Sequence, residues 1–168
     1  MSYIVKIGTI EAVWNGDNQI PEGFVEFNGD LTDSLVWDSE LNNLREKNVA
    51  ELLNDQRLIK IDLLKTDCTN AIQTGFTSTA LGEAHIYDSS LPQDQTNLLG
   101  ARIAGIDMFF TCTDSNSYKS QKWHTASQMA QVYIAGMVHL QTQKARFYAR
   151  KLAVEQAETI EAVEAVVW

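Results

Sequence analysis

The sequence predicts an α+β protein, with a small N-terminal β domain followed by a mainly helical domain of long antiparallel helices and a short β-hairpin or loop. Three observations carry this. Residues 3–37 are rich in Ile, Val and Thr and are broken by turn dipeptides. From Asp38 to Thr74 there is neither Gly nor Pro, and apolar residues recur at helical spacing. Thr125-Ala126-Ser127-Gln128 has the spacing of a capping box and opens a long periodic stretch. The division that follows is a β-rich domain over 1–37, a helical connector over 38–57 and a helical domain over 58–168.

In chain order, Tyr3 to Trp14 reads as strand and meets Asn15-Gly16, which supplies positive φ in tight hairpins. Ile20-Pro21-Glu22-Gly23 fits a type I turn with proline at its second position and glycine at its fourth. A short strand, Phe24 to Phe27, follows and closes at Asn28-Gly29-Asp30. Three or four such strands are too few to be stable alone.

Helical spacing then runs through Leu41, Leu44, Leu52, Ile59, Leu63 and Ile72, with Asp38 or Ser39 as cap and a break expected at Asn54-Asp55. If continuous, such a helix would reach roughly 50 Å and need a partner. Gly75 to Glu83 reads as a loop and Ala84 to Tyr87 as a short strand. Pro92 suits the first turn of a helix extending to about Phe110, in which Gly100, Ala101, Ala104 and Gly105 would admit a close neighbour. Cys112 to Trp123 reads as a hairpin or irregular loop. The capped helix runs to about Gln156 with Met129, Val132, Tyr133, Gly136, Leu140 and Phe147 on one stripe, and a last short helix spans Thr159 to Val167.

Charge narrows the function. The net charge is −9, and residues 1–57 hold 11 acids against 4 bases. Such a surface repels phosphate backbones and anionic lipid, so neither nucleic acid nor membrane is an expected partner. No signal peptide or membrane span is evident, which predicts a soluble chain. Cys68 and Cys112 form no CxxC and read as free thiols, although one bridge between them stays open.

The sequence carries no recognisable reactive constellation. There is no GxxxxGK[ST], GxGxxG, GxSxG or HExxH, and His85, His124 and His139 share no helical i, i+4 spacing. Each histidine reads as structural. Glu155, Glu158, Glu161 and Glu164 step by three as a solvated face, while Asp88 and Asp94 flank Pro92 as turn former or cap. Lys144, Arg146, Arg150 and Lys151 form the one dense basic run and read as an ion-pairing face. The expectation is a chain that is not an enzyme, with no catalytic residues, cofactor or metal.

The second part of the chain carries an ordered set of short motifs. They are Gln73-Thr74-Gly75-Phe76, then Tyr87-Asp88-Ser89-Ser90 with Gln95 and Asn97, then Trp123-His124-Thr125 with Gln128, and finally Glu158 to Val166. In this order, over about residues 60–168, the chain resembles DUF4376, a family of phage proteins found beside tail fibre genes. One departure is the loop Asp114-Ser115-Asn116-Ser117 before Trp123, where the family commonly has an Asp-Asn pair after the tryptophan region begins. The resemblance implies a tail fibre assembly chaperone or accessory protein that binds the phage tail fibre protein. The alternative is a permanent structural component of the tail or baseplate that attaches fibres. Baseplate proteins and a second copy of the chain are further candidate partners. The expected location is the host cytoplasm during assembly, and the virion tail if the protein stays with the particle. Trp37, Phe110, Val167 and Trp168 are the candidate interface residues, because aromatic and apolar side chains left exposed anchor protein contacts.

Overall fold

The computed structural model describes residues 3–14, 20–29, 31–32 and 34–168. The Asn15-Gly16 turn lies outside them. The chain is α+β, as its patterning predicts, and falls into two compact units, residues 1–56 and 57–168.

In the first unit, β1 (Tyr3–Lys6) is the centre of an antiparallel three-stranded sheet, flanked by β2 (Ala12–Trp14) and β3 (Phe24–Phe27). The turn into β3 sits one residue later than its spacing suggests. Phe24 N–H donates to the Pro21 carbonyl at 3.2 Å, and Gly23 takes φ +85°, so glycine is required for positive φ at the third position of the turn. Val5 pairs with Ala12 on one side and Val25 on the other, and packs with Leu35 and Leu44 in a small core.

The helix predicted from Asp38 begins later. Residues 35–46 form a hairpin of β4 (Leu35–Asp38) and β5 (Asn43–Glu46). Asp38 caps its turn by accepting from the Glu40 and Leu41 N–H groups, and Asn42 adopts φ +48°, which asparagine tolerates. Leu44 therefore fills the core from a strand while Leu41 stays exposed. Arg45 bridges this hairpin to the following helix, donating to Asp38 at 2.7 Å and to Glu51 at 2.7 and 2.8 Å.

Helix α1 (Val49–Gln73) runs unbroken through Asn54-Asp55. Its buried side is Leu64 and Cys68, whereas Ile59 and Leu63 face water, so the helical period is right and the face is not the one expected. The second unit continues with β6 (Phe76–Ser78), β7 (His85–Tyr87) and α2 (Pro92–Ala104). After these come β8 (Met108–Thr113), β9 (Lys119–His124), α3 (Ala126–Gln156) and α4 (Ile160–Glu164). Its strands form an antiparallel sheet in the order β6-β7-β8-β9, larger than the predicted hairpin. Helix α2 stops at Gly105, which takes φ +60° and donates its N–H to the Ala101 carbonyl, so Met108 and Phe110 belong to a strand and not to a helix.

Helices α1 and α3 run antiparallel. Arg57 donates to the Ala157 carbonyl, Cys68 Sγ lies 3.6 Å from the Gln143 carbonyl, and His139 Nε2 donates to that of Ala71. The core gathers Phe76, Tyr87, Leu98, Ala101, Cys112, Met129 and Val132 from the sheet, α2 and α3. Gly136 on α3 lets Phe76 approach, since a Cβ there would meet its ring at 2.9 Å. Gly100, expected to admit a neighbour, faces open space, and Ala101 makes the buried contact instead.

Candidate protein-binding surface

Strand alternation divides the β8-β9 hairpin into two faces. Cys112 and His124 point inward and are buried, with Phe110 half-buried beside them. Phe109 and Trp123 lie directly opposite one another in the register and point the other way. Their rings meet edge to face, centroids 5.0 Å apart at 72°, yet Phe109 is 60% and Trp123 53% exposed. Ile86 of β7, also exposed, shares this face through its pairing with Thr113. Beside it, a groove of about 630 Å³ is lined by Asp94, Asn97 and Gly100 of α2 and by Phe109, Thr111 and Gln121 of the hairpin. Among the described residues the outer strand β9 pairs only with β8, and it carries Lys119 and Lys122, charges that discourage indiscriminate edge pairing.

The aromatic pair stands on a rigid base. His124 Nδ1 is 2.8 Å from the Lys122 carbonyl, which only accepts, so Nδ1 carries the proton and Nε2 is an acceptor. Tyr87 Oη donates to that Nε2 at 2.8 Å. Burial pushes the imidazole below its ordinary value and the Tyr87 phenol above its own, so both stay neutral. Trp123 faces out, His124 locks to Tyr87, and Thr125 accepts from Gln128 N–H while Gln128 Oε1 accepts from Thr125 N–H. Three consecutive residues thus display a ring, fasten the sheet and start α3.

The other motif residues also act as joints. Gly75 takes φ +93° and passes so close to β7 that a Cβ would lie 2.8 Å from the Tyr87 carbonyl oxygen. Ser89 donates to the Ile72 carbonyl at 2.7 Å, and Gln95 donates to that of Ser89 at 3.2 Å. Asp88 accepts from Ser90 N–H and pairs with Lys119 at 3.1 Å, contacts that bring its carboxyl down to about 2. Asp94 accepts from Leu91 N–H at the start of α2, so both aspartates serve as turn former and cap. His85 is buried with Nδ1 on the Glu83 carbonyl and its Nε2 without a hydrogen-bond partner. Cys68 and Cys112 are buried free thiols, and no three metal-ligating side chains converge among the described residues. No helix of the described residues is long and apolar enough to cross a membrane.

The four residues singled out as exposed anchors are placed differently from one another. Phe110 is half-buried against the core of the second unit, and Trp37 is half-buried against Val5, Leu35 and Leu44 in the first. Phe110 lies on a strand where the end of a helix is expected, whereas Trp37 lies on a strand within the part that reads as β-rich. Trp168 is half-buried, with the Arg146 guanidinium 4.8 Å over its ring. Val167 is exposed. Of the basic run, Lys151 pairs with Glu155 within α3 at 2.9 Å. In the sequence Phe109 reads as part of a helix end and Trp123 as the end of a polar hairpin or loop, so neither stands out as an exposed strand residue. Gly105 as a stop and the β-branched Thr111 and Thr113 alternating with Phe110 and Cys112 were the available signals.

Residues 55–167 match the model of DUF4376, a domain of unknown function. No curated protein and no solved structure matches the chain. The match covers most of the sequence and the whole of the sheet, α2 and α3 with the joints just described, and the chain belongs to the DUF4376 family.

Proposed function

We propose that this protein is a non-enzymatic accessory factor of a bacteriophage tail fibre, which binds the fibre protein through the open face of its four-stranded sheet and shields it during assembly. The observation that carries a binding role is the Phe109–Trp123 pair, two large rings held edge to face on a fixed strand register and left mostly in water. Rings on a rigid sheet lose little conformational entropy when covered, and they supply the anchor that protein interfaces favour. The fibre as partner rests on the ordered motifs from Gln73 to Val166 and on the company that family keeps. Unassembled β-rich fibres expose strand edges and apolar patches, which such a partner would cover.

The test is co-expression of the neighbouring fibre gene with and without this chain, and with the Phe109→Ser/Trp123→Ser variant. Soluble trimeric fibre is expected to fall in the second and third cases. Equal yields in all three overturn the reading. Stoichiometric copies in purified virions would assign the alternative, a permanent component of the tail or baseplate.

A further inference from the structure

Helix α3 is apolar on two sides. Met129, Val132, Gly136, Leu140, Phe147 and Val154 face its own unit, as one stripe of a packed helix should. On the far side, Ile134, Val138, Gln141, Ala145, Tyr148 and Leu152 are all exposed. Their spacing alternates four and three residues, the heptad spacing of a seam between two helices and not of a surface wetted by chance. Ile134, Val138, Tyr148 and Leu152 are each more than half exposed, and Met137 borders them. A groove of about 470 Å³ runs along the first half of the seam.

The structure assigns this seam to a second copy of the same chain, packed antiparallel about a two-fold axis near Gln143. Two features make the seam complementary to its own copy in that direction. The first is volume. An antiparallel pair centred there sets Ile134 against Leu152, Val138 against Tyr148 and Gln141 against Ala145 of the other copy, so the largest ring meets a small β-branched residue and the smallest residue meets a long amide. A parallel pair would set tyrosine on tyrosine and alanine on alanine, one layer overfilled and the next hollow.

The second is charge. Residues 126–143 of α3 contain no Asp, Glu, Lys or Arg, while Lys144, Arg146, Arg150 and Lys151 crowd the following turns. Antiparallel packing lays each basic half against an uncharged half, and parallel packing would set the two basic halves side by side. The seam from Ile134 to Leu152 is roughly 27 Å long. Two such faces, with Met137 and the flanking lysine stems, close on the order of 1,000 Å², the size at which a contact becomes specific. The seam shares no residue with the Phe109–Trp123 face.

Cysteine pairing on the full chain reads the geometry directly. Under mild oxidation, an equimolar mixture of Ile134→Cys and Leu152→Cys chains is expected to form a disulfide-linked dimer, whereas neither variant alone should. The wild-type chain, whose Cys68 and Cys112 are buried, serves as the background. The Val138→Lys/Leu152→Lys variant changes only exposed positions and should halve the mass in sedimentation equilibrium without altering the helical circular dichroism signal. A wild-type chain that sediments as a monomer at all accessible concentrations overturns the proposal. So does linkage of Ile134→Cys to itself, which a pair centred near Gln143 does not permit.

Discussion

Tyr87 Oη donates to His124 Nε2 at 2.8 Å inside the core, joining β7 to β9 across the intervening strand. Because His124 Nδ1–H is committed to the Lys122 carbonyl, Nε2 has only Tyr87 to satisfy it. Tyr87→Phe keeps the ring and strands that acceptor, so it should cost about 1–3 kcal/mol in urea melts.

The same pair sets an acid limit. Burial lowers the His124 value below 6.5, which outweighs the opposing bond to the Lys122 carbonyl. The unfolded chain therefore binds the proton more readily than the folded one. The contribution is complete above 6.5 and is lost as pH falls from there through the depressed folded value, with a slope of at most about 1.4 kcal/mol per pH unit. Melts between pH 7.5 and 5 should show the decline, and His124→Gln should flatten it.

Two glycines should respond in opposite directions to the same substitution. Gly75→Ala meets a positive φ and a carbonyl oxygen 2.8 Å from the new Cβ, so a loss of about 2–4 kcal/mol is expected. Gly100→Ala adds a methyl in open space within α2 and should add about 0.5–1 kcal/mol. Thermal melts of the two variants beside the wild type decide it.

Thr125→Ala removes the side-chain acceptor that opens α3 and should cost about 1 kcal/mol. Amide exchange is expected to accelerate first at Gln128, whose N–H loses its partner, and this would be read by hydrogen–deuterium exchange.

In the first unit, Arg45 holds the Glu51 carboxyl at about 2, with the Asn48 N–H assisting. The folded value is depressed, so this contact stabilises the unit above pH 4.5 and is lost as pH falls through about 2. Carboxyl chemical-shift titration should place the Glu51 midpoint near 2, and Arg45→Met should return it toward 4.5.

Local signals were legible wherever one residue's chemistry decides the backbone. The Thr125–Gln128 box, Pro92 in the first turn of α2 and the end of α3 at Gln156 were read directly, because caps and prolines act through neighbours in sequence. The hairpin at 35–46 was not, since Leu41 and Leu44 fit a helical period as well as a strand. Pairing with a distant segment resolves such an ambiguity: Asn43 donates to the Glu26 carbonyl, seventeen residues earlier. Phe110, expected to be exposed, is half-buried while its neighbour Phe109 is exposed, since a residue read as helix has no strand alternation to say which side it faces.

By itself, the sequence determined the α+β class, the order of β-rich and helical parts, the opening of α3 and the motif order that marks the family, all of which depend on composition and contacts within a few residues. Only the tertiary structure decided which face of each element is buried, that Tyr87 and His124 meet, and that Phe109, Trp123 and the outer stripe of α3 are left without cover. Those outcomes follow from which distant surfaces pack best against one another, and a periodic pattern names a stripe without saying what it faces.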